Sequence, residues 1–133
     1  NHSGRNYVGA PLWDLWLLVK EHPVEHLAVA LDTGHTTVEG TNSWPIQANL
    51  LRPHLGALYV KDYTWIENKK ANVPLGRGNV ETGYPKRLLK SGYTSPVNLH
   101  VEYLKPFSKE NVPNQIAAIK RDVAVLRKWL GWT

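Results

Sequence analysis

The sequence contains no cysteine and no methionine. Without cysteine, disulfides, thiolate metal sites and cysteine nucleophiles are excluded together. No apolar run approaches the roughly 20 residues that a membrane-spanning helix needs, so no membrane segment and no membrane partner are expected. Neither GxGxxG nor GxxxxGK occurs, which removes the loops that cradle nucleotide phosphates through backbone N–H groups. No stretch is low in complexity and no linker divides the chain, so one domain over residues 1–133 is expected. The chain opens on Asn1-His2-Ser3-Gly4 with neither an initiator Met nor a signal-peptide pattern. Asn1 is therefore not expected to be a native start, and a cytoplasmic setting is expected.

What is present is the composition of a folded domain. The 133 residues are 42% hydrophobic and 20% charged, enough apolar material for one core and too little charge density for disorder. Charge is uneven. Residues 1–51 carry two basic and five acidic side chains, net −3, whereas residues 52–133 carry fourteen and six, net +8. A basic half can attract phosphates, nucleic acid or anionic substrates. The same charges also suit a solvated helical surface. No basic run exceeds two residues and no nucleic-acid motif is present, so nucleic acid is not an expected partner.

Apolar runs of strand length alternate with helical patterns. Leu27–Leu31, Ala57–Val60 and Val97–Val101 read as strands, the first unbroken enough to be buried on both faces. Leu12, Trp13, Trp16, Leu17 and Val19 mark a helix that stops near His22-Pro23. A second helix is expected from Ser43 to His54, with Ser43 as N-cap and Pro45 in its first turn. A third runs from Tyr84 to Lys90 and ends at Ser91-Gly92. In the fourth, Ile116, Ile119, Val123, Leu126 and Leu130 form the apolar stripe, between Pro113 and Gly131. Strands alternating with helices predict an α/β fold built from βαβ units with a parallel sheet. The longest connection, Tyr63 to Thr82, is expected to be a loop, and loops of that length are usually functional or mobile. Five of the six tryptophans fall on helical patterns and are expected in the core. Trp65 follows a strand end and is a candidate for a substrate pocket.

The chemistry gathers at strand ends. The first strand runs into Asp32-Thr33-Gly34-His35, the second into Lys61-Asp62 and the third into Glu102. Acids placed there lie at the C-terminal mouth of parallel strands, the rim where α/β folds hold their sites. Carboxylates in one place repel unless a cation or proton sits among them, and hard divalent ions take oxygen ligands. Asp32, His35 and Glu102 are thus candidates for a metal site, while Asp32 is equally placed to cap a following helix. Strand alternation puts His100 and Glu102 on one side and Tyr59 and Lys61 together, with Asp62 opposite, free to bond a neighbouring loop. Lys61 reads either as a site residue or as a snorkelling surface lysine, and His100 as a buried, hydrogen-bonded core histidine. Pro74-Leu75-Gly76-Arg77-Gly78 can turn sharply and present Arg77 to an anionic group, or be a plain turn.

Asn1-His2-Ser3-Gly4, Leu31-Asp32-Thr33-Gly34-His35, Tyr59-Val60-Lys61-Asp62, Leu75-Gly76-Arg77-Gly78-Asn79-Val80 and His100-Val101-Glu102, in that order, resemble the xylose isomerase-like superfamily of sugar isomerases and epimerases. The nearest branches are those of hydroxypyruvate isomerase, inosose dehydratase and ketose 3-epimerases. Endonuclease IV shares the fold. The resemblance implies a (β/α)8 barrel of about 250 residues, of which this chain holds four βα units, strands five to eight. A half-barrel leaves open sheet edges. The missing N-terminal half, or a second copy of the chain, is the implied partner, and the chain alone is expected to be inactive. The resemblance further implies isomerisation or epimerisation of a small sugar or hydroxy-keto acid through an enediolate, assisted by a divalent metal (Mn, Mg, Co or Zn). It makes Asp32 and Glu102 metal ligands, Glu102 also the base, Lys61 the stabiliser of developing charge, and His35 a substrate contact. Trp65 and Arg77 complete the expected substrate site. Tyr59 stands where the family places a ligand histidine, and a neutral phenol is a poor ligand at pH 7 unless the metal acidifies it. That departure supports an alternative, a non-catalytic relative that binds a sugar or polyol.

Overall fold

A computed structural model describes residues 1–105 and 108–132. The chain divides into two compact units, Asn1–Tyr59 with Thr94–Asn98, and Val60–Tyr93 with the segment from Leu99 onward. Among the described residues, no helix is long and apolar enough to cross a membrane.

The first unit opens on α1 (Leu12–Val19), which follows Pro11 in extended conformation and carries Asp14 in its first turn. The Asp14 carboxylate accepts the Gly9 N–H at 2.7 Å, so it ties down the entry to the helix. Leu12 and Val19 are its buried residues. Then β1 (Val29–Asp32) pairs in parallel with β2 (Leu55–Val60), and β5 (Val97–Leu99) flanks β2, giving the order β1-β2-β5. The register slips between Val29 and Ala30, where Gly56 is the extra residue of a bulge. A Cβ at Gly56 would lie 2.8 Å from that of Ala28, which is why the bulge takes glycine. The ladder then runs regularly and ends by setting Asp32 beside Tyr59.

Directly after β1 the chain enters α2 (Thr33–Gly40), a helix with no counterpart in the sequence reading. Two glycines and three threonines give it little intrinsic propensity and no apolar period. Tertiary burial supplies what propensity does not: Thr33, Gly34, His35, Thr36 and Thr37 are all buried. The Thr36 and Thr37 hydroxyls donate back to the Thr33 carbonyl at 3.0 and 2.7 Å, so they add no unsatisfied polar groups. Next comes α3 (Trp44–Leu51), which packs on α1 and buries Trp44, Ala48 and Leu51. Ser43 occupies the cap position but its side chain does not cap; its hydroxyl donates to Gly40 instead. The expected helix to His54 finishes as a 3₁₀ turn over Arg52–His54.

The second unit corrects the reading of the long connection. Residues 62–73 form an antiparallel hairpin, β3 (Asp62–Ile66) against β4 (Lys69–Val73), joined by Glu67-Asn68. Both turn residues have positive φ, +47° and +62°, as a two-residue turn matched to strand twist requires. Asn68 follows rather than precedes a glycine-like position, so the usual Asn-Gly signal is missing. Helix α4 (Tyr84–Lys90) has the expected bounds. Helix α5 (Val112–Leu130) ends as expected at Gly131, whose φ of +79° lets the Trp132 N–H reach the Arg127 carbonyl at 2.8 Å. Its buried residues, however, are Ala118, Asp122, Leu126 and Leu130. Ile116, Ile119 and Val123, expected in the core, are 40–48% exposed. The tryptophans differ likewise: Trp44 is fully buried, whereas Trp13 and Trp132 are more than half exposed.

Candidate functional site

In the first unit the site residues meet where β1 gives way to α2. Asp32 is the N-cap of α2, and its Oδ1 accepts the His35 N–H at 2.9 Å. The capping role weighed from sequence is thus one that its carboxylate performs. The Asp32 N–H is itself held by Asn1 Oδ1 at 2.9 Å, and Tyr59 neighbours Asp32 on the parallel ladder. His35, fixed by this cap, is buried. Its Nδ1 lies 2.8 Å from the Ser3 hydroxyl, and its ring packs on that of His2 at 3.9 Å between centroids. Ser3 and His2 belong to the opening Asn-His-Ser-Gly segment, whose part in orienting His35 had no signal in spacing alone.

In the second unit the centre is Glu102. Strand β5 stops at Leu99, two residues short of expectation, although the His100 N–H still reaches the Val60 carbonyl at 2.9 Å. That bond places His100 and Glu102 just past the strand end, with His100 Nδ1 3.6 Å from Glu102 Oε1. His100 is one-third exposed there, not the buried core histidine expected. Lys61 donates to Glu102 Oε2 at 2.9 Å, and its side chain is only 5% exposed against 41% for Glu102. Lys61 is thus no surface lysine. An ammonium withdrawn from water in this way needs a carboxylate at hand. The hairpin adds Asn72, whose side-chain amide donates to the same oxygen at 3.3 Å. Burial works to raise the Glu102 pKa. The Lys61 hydrogen bond and charge, with the charges of His100 and Lys70, outweigh it and hold the carboxyl below the usual range. Asn72 and Lys70 were missed because they sit on β4, inside the stretch read as loop; their alternate placement along Lys69–Val73 was the available signal.

Asp62 faces the other way, as strand parity predicts, and bonds a loop. Oδ1 accepts the N–H groups of Tyr63 (2.8 Å) and Val80 (3.1 Å), and Oδ2 those of Gly76 (3.0 Å) and Gly78 (2.9 Å). This carboxylate shapes residues 76–80 from within. It also accounts for both glycines: Gly76 has φ +79°, and a Cβ on Gly78 would collide with the Tyr63 carbonyl and the Asp62 carboxylate. Arg77 is carried exposed at the tip, in a turn closed by its N–H to the Pro74 carbonyl at 3.0 Å. Trp65 lies half exposed on β3, edge-on to Tyr63 at 5.8 Å. A further cluster escaped the sequence reading. The Tyr103 hydroxyl donates to the fully buried Asp122 at 2.7 Å and also accepts from Arg121. Burial, then the Asp122 hydrogen bond and charge, push this phenol up to about 12 despite Arg121.

The Asp32 carboxylate caps a helix, and Glu102 carries an ammonium at hydrogen-bond distance. Among the described residues no group of three or more His, Cys, Asp and Glu side chains could hold a metal ion. Lys61 and Glu102 together place a carboxylate base beside a buried ammonium. No curated protein matches the chain. The model of the xylose isomerase-like TIM barrel family matches residues 1–129, and the chain belongs to that family.

Proposed function

We propose that the chain is the second half of a barrel of the hydroxypyruvate isomerase, inosose dehydratase and ketose 3-epimerase branch, with β1, β2 and β5 as its sixth, seventh and eighth strands. Its reaction is proton transfer between adjacent carbons of a ketose or hydroxy-keto acid. The observation that carries this reading is the Lys61–Glu102 contact at 2.9 Å, with Lys61 buried. Glu102 is the base: it takes the proton from the carbon beside the substrate carbonyl, and that carbonyl oxygen gains the charge of an enediolate. Lys61, itself buried, donates its hydrogen bond to this oxygen and stabilises its charge. The two roles are linked. A substrate oxygen that takes over the Lys61 hydrogen bond removes the main partner holding the Glu102 pKa down, so binding makes Glu102 a stronger base. The hydroxyl proton on the first carbon passes to the enediolate oxygen, and Glu102 returns the carbon-derived proton to the neighbouring carbon, so that the carbonyl and the hydroxyl have exchanged places. Trp65 and Arg77, of the same unit as Lys61 and Glu102, border the substrate.

The test is exchange of substrate C–H protons with solvent deuterium, followed by proton NMR for hydroxypyruvate and a panel of ketoses. The protein is the chain joined at Asn1 to an upstream half-barrel. Exchange that Glu102→Gln abolishes is the expected result. A folded barrel that binds these compounds and exchanges none of them would instead favour a sugar- or polyol-binding relative. Tyr59, beside Asp32 in place of the family's histidine, is the observation behind that second reading.

A further inference from the structure

A hollow of about 580 Å³ on the second unit shares no residue with the chemistry above. It is lined by Lys86 of α4 and by Ala124, Arg127, Lys128, Gly131 and Trp132 of α5 and its C-terminal cap. Three full positive charges thus border one concavity. Among the described residues, none of the three side chains has an ion-pair or hydrogen-bond partner. Helix capping does not account for them. The end of α5 carries only about half a negative charge, and the Arg127 and Lys128 carbonyls are already satisfied by the N–H groups of Trp132 and Gly131. Like charges held together without an anion are mutually repulsive, and a multiply charged anion relieves that repulsion. The surrounding unit reinforces the field, with thirteen basic and six acidic side chains. The wall is apolar as well: Ala124 leaves room, and Trp132 is 54% exposed. An exposed indole beside unpaired cations offers a stacking face next to phosphate-binding groups.

We propose that this hollow binds a nucleoside diphosphate, its two phosphates on Lys86, Arg127 and Lys128 and its base on Trp132. Recognition is by side chains, consistent with the absence of any glycine-rich phosphate loop. The test is isothermal titration of the chain with ADP, inorganic pyrophosphate and adenosine at low and high salt. ADP is expected to bind one per chain, more tightly than pyrophosphate, and less tightly as salt rises. In the double variant R127E/K128E the ADP affinity is expected to fall about tenfold or more, because two exposed attractions become repulsions. Trp132→Ala is expected to bring ADP down to the level of pyrophosphate. All three substituted residues are exposed, and circular dichroism checks that the fold is kept. Unchanged ADP binding in R127E/K128E, pyrophosphate binding as tightly as ADP to the unaltered chain, or no saturable ADP binding at millimolar concentration would overturn the proposal.

Discussion

Replacing Asp62 by Asn changes one atom and tests whether this carboxylate organises its loop. Each carboxylate oxygen takes two backbone N–H groups, Tyr63 and Val80 on one, Gly76 and Gly78 on the other. An amide has one oxygen and one NH2. However it is turned, one pair of backbone donors keeps its acceptor and the other pair faces N–H. Two donors left unsatisfied cost about 1–3 kcal/mol each when buried, and charge assistance is lost on the surviving pair. Gly76 is exposed, so water recovers part of this. The net expectation is a loss of about 2–4 kcal/mol, which is a large fraction of the 5–15 kcal/mol that holds a typical domain. For a chain of this size that corresponds to a fall in Tm of roughly 8–16 °C. Urea unfolding followed by circular dichroism gives the stability, and hydrogen exchange reports the amides one by one. The amides of Gly76, Gly78 and Val80 should be protected in the native chain, and in the variant one pair should lose protection. Stability within about 1 kcal/mol of the original, with all three amides still protected, would refute the reasoning.

Three other outcomes follow from the same structure. The Glu102 pKa is depressed in the folded chain, so its contribution is present above the unfolded value and lost as pH falls through the folded one. Acid unfolding between about pH 5 and 3 should therefore flatten in Glu102→Gln, by no more than about 1 kcal/mol because this carboxylate is 41% exposed. Tyr103 titrates in the opposite sense: with its pKa raised to about 12, the stability it lends is intact below pH 10 and lost as pH climbs to 12. A phenolate absorbance step near 12 should vanish in Tyr103→Phe. On α5, Leu126→Ala should cost about 2–4 kcal/mol, whereas Ile119→Ala should stay within about 0.5 kcal/mol, as chemical denaturation would show. Equal costs would return Ile119 to the core.

What the sequence made legible was tied to strong, local patterns. The strands that lead to Asp32 and to Lys61-Asp62 were readable because buried parallel strands are short unbroken apolar runs, whereas β5, only half-buried, stops at Leu99, short of Glu102. Helix α4 and the Gly131 cap were readable from propensity and stop signals. Asp62 turning to a loop followed from parity alone. Helix α2 was hidden because its stability comes from burial rather than from any residue that favours helix. The β3–β4 hairpin was hidden because Glu67-Asn68 adopts positive φ without a glycine. Since that hairpin carries Lys70 and Asn72, part of the Glu102 environment was hidden with it. On α5 the apolar period was read correctly as helical, but Asp122, satisfied by Tyr103 and Arg121, is buried while Ile119, expected in the core, is exposed. A buried, bonded aspartate is invisible to a hydrophobic count.

The central claim is that Lys61 and Glu102 act as one proton-transfer pair. It is tested most directly by the rate of substrate C–H exchange with solvent in Lys61→Met, measured in the completed barrel beside the unaltered protein and Glu102→Gln. If Lys61 stabilises the enediolate oxygen, the exchange rate falls about 10²–10³-fold while the substrate still binds. An exchange rate in Lys61→Met equal to that of the unaltered protein would contradict the account.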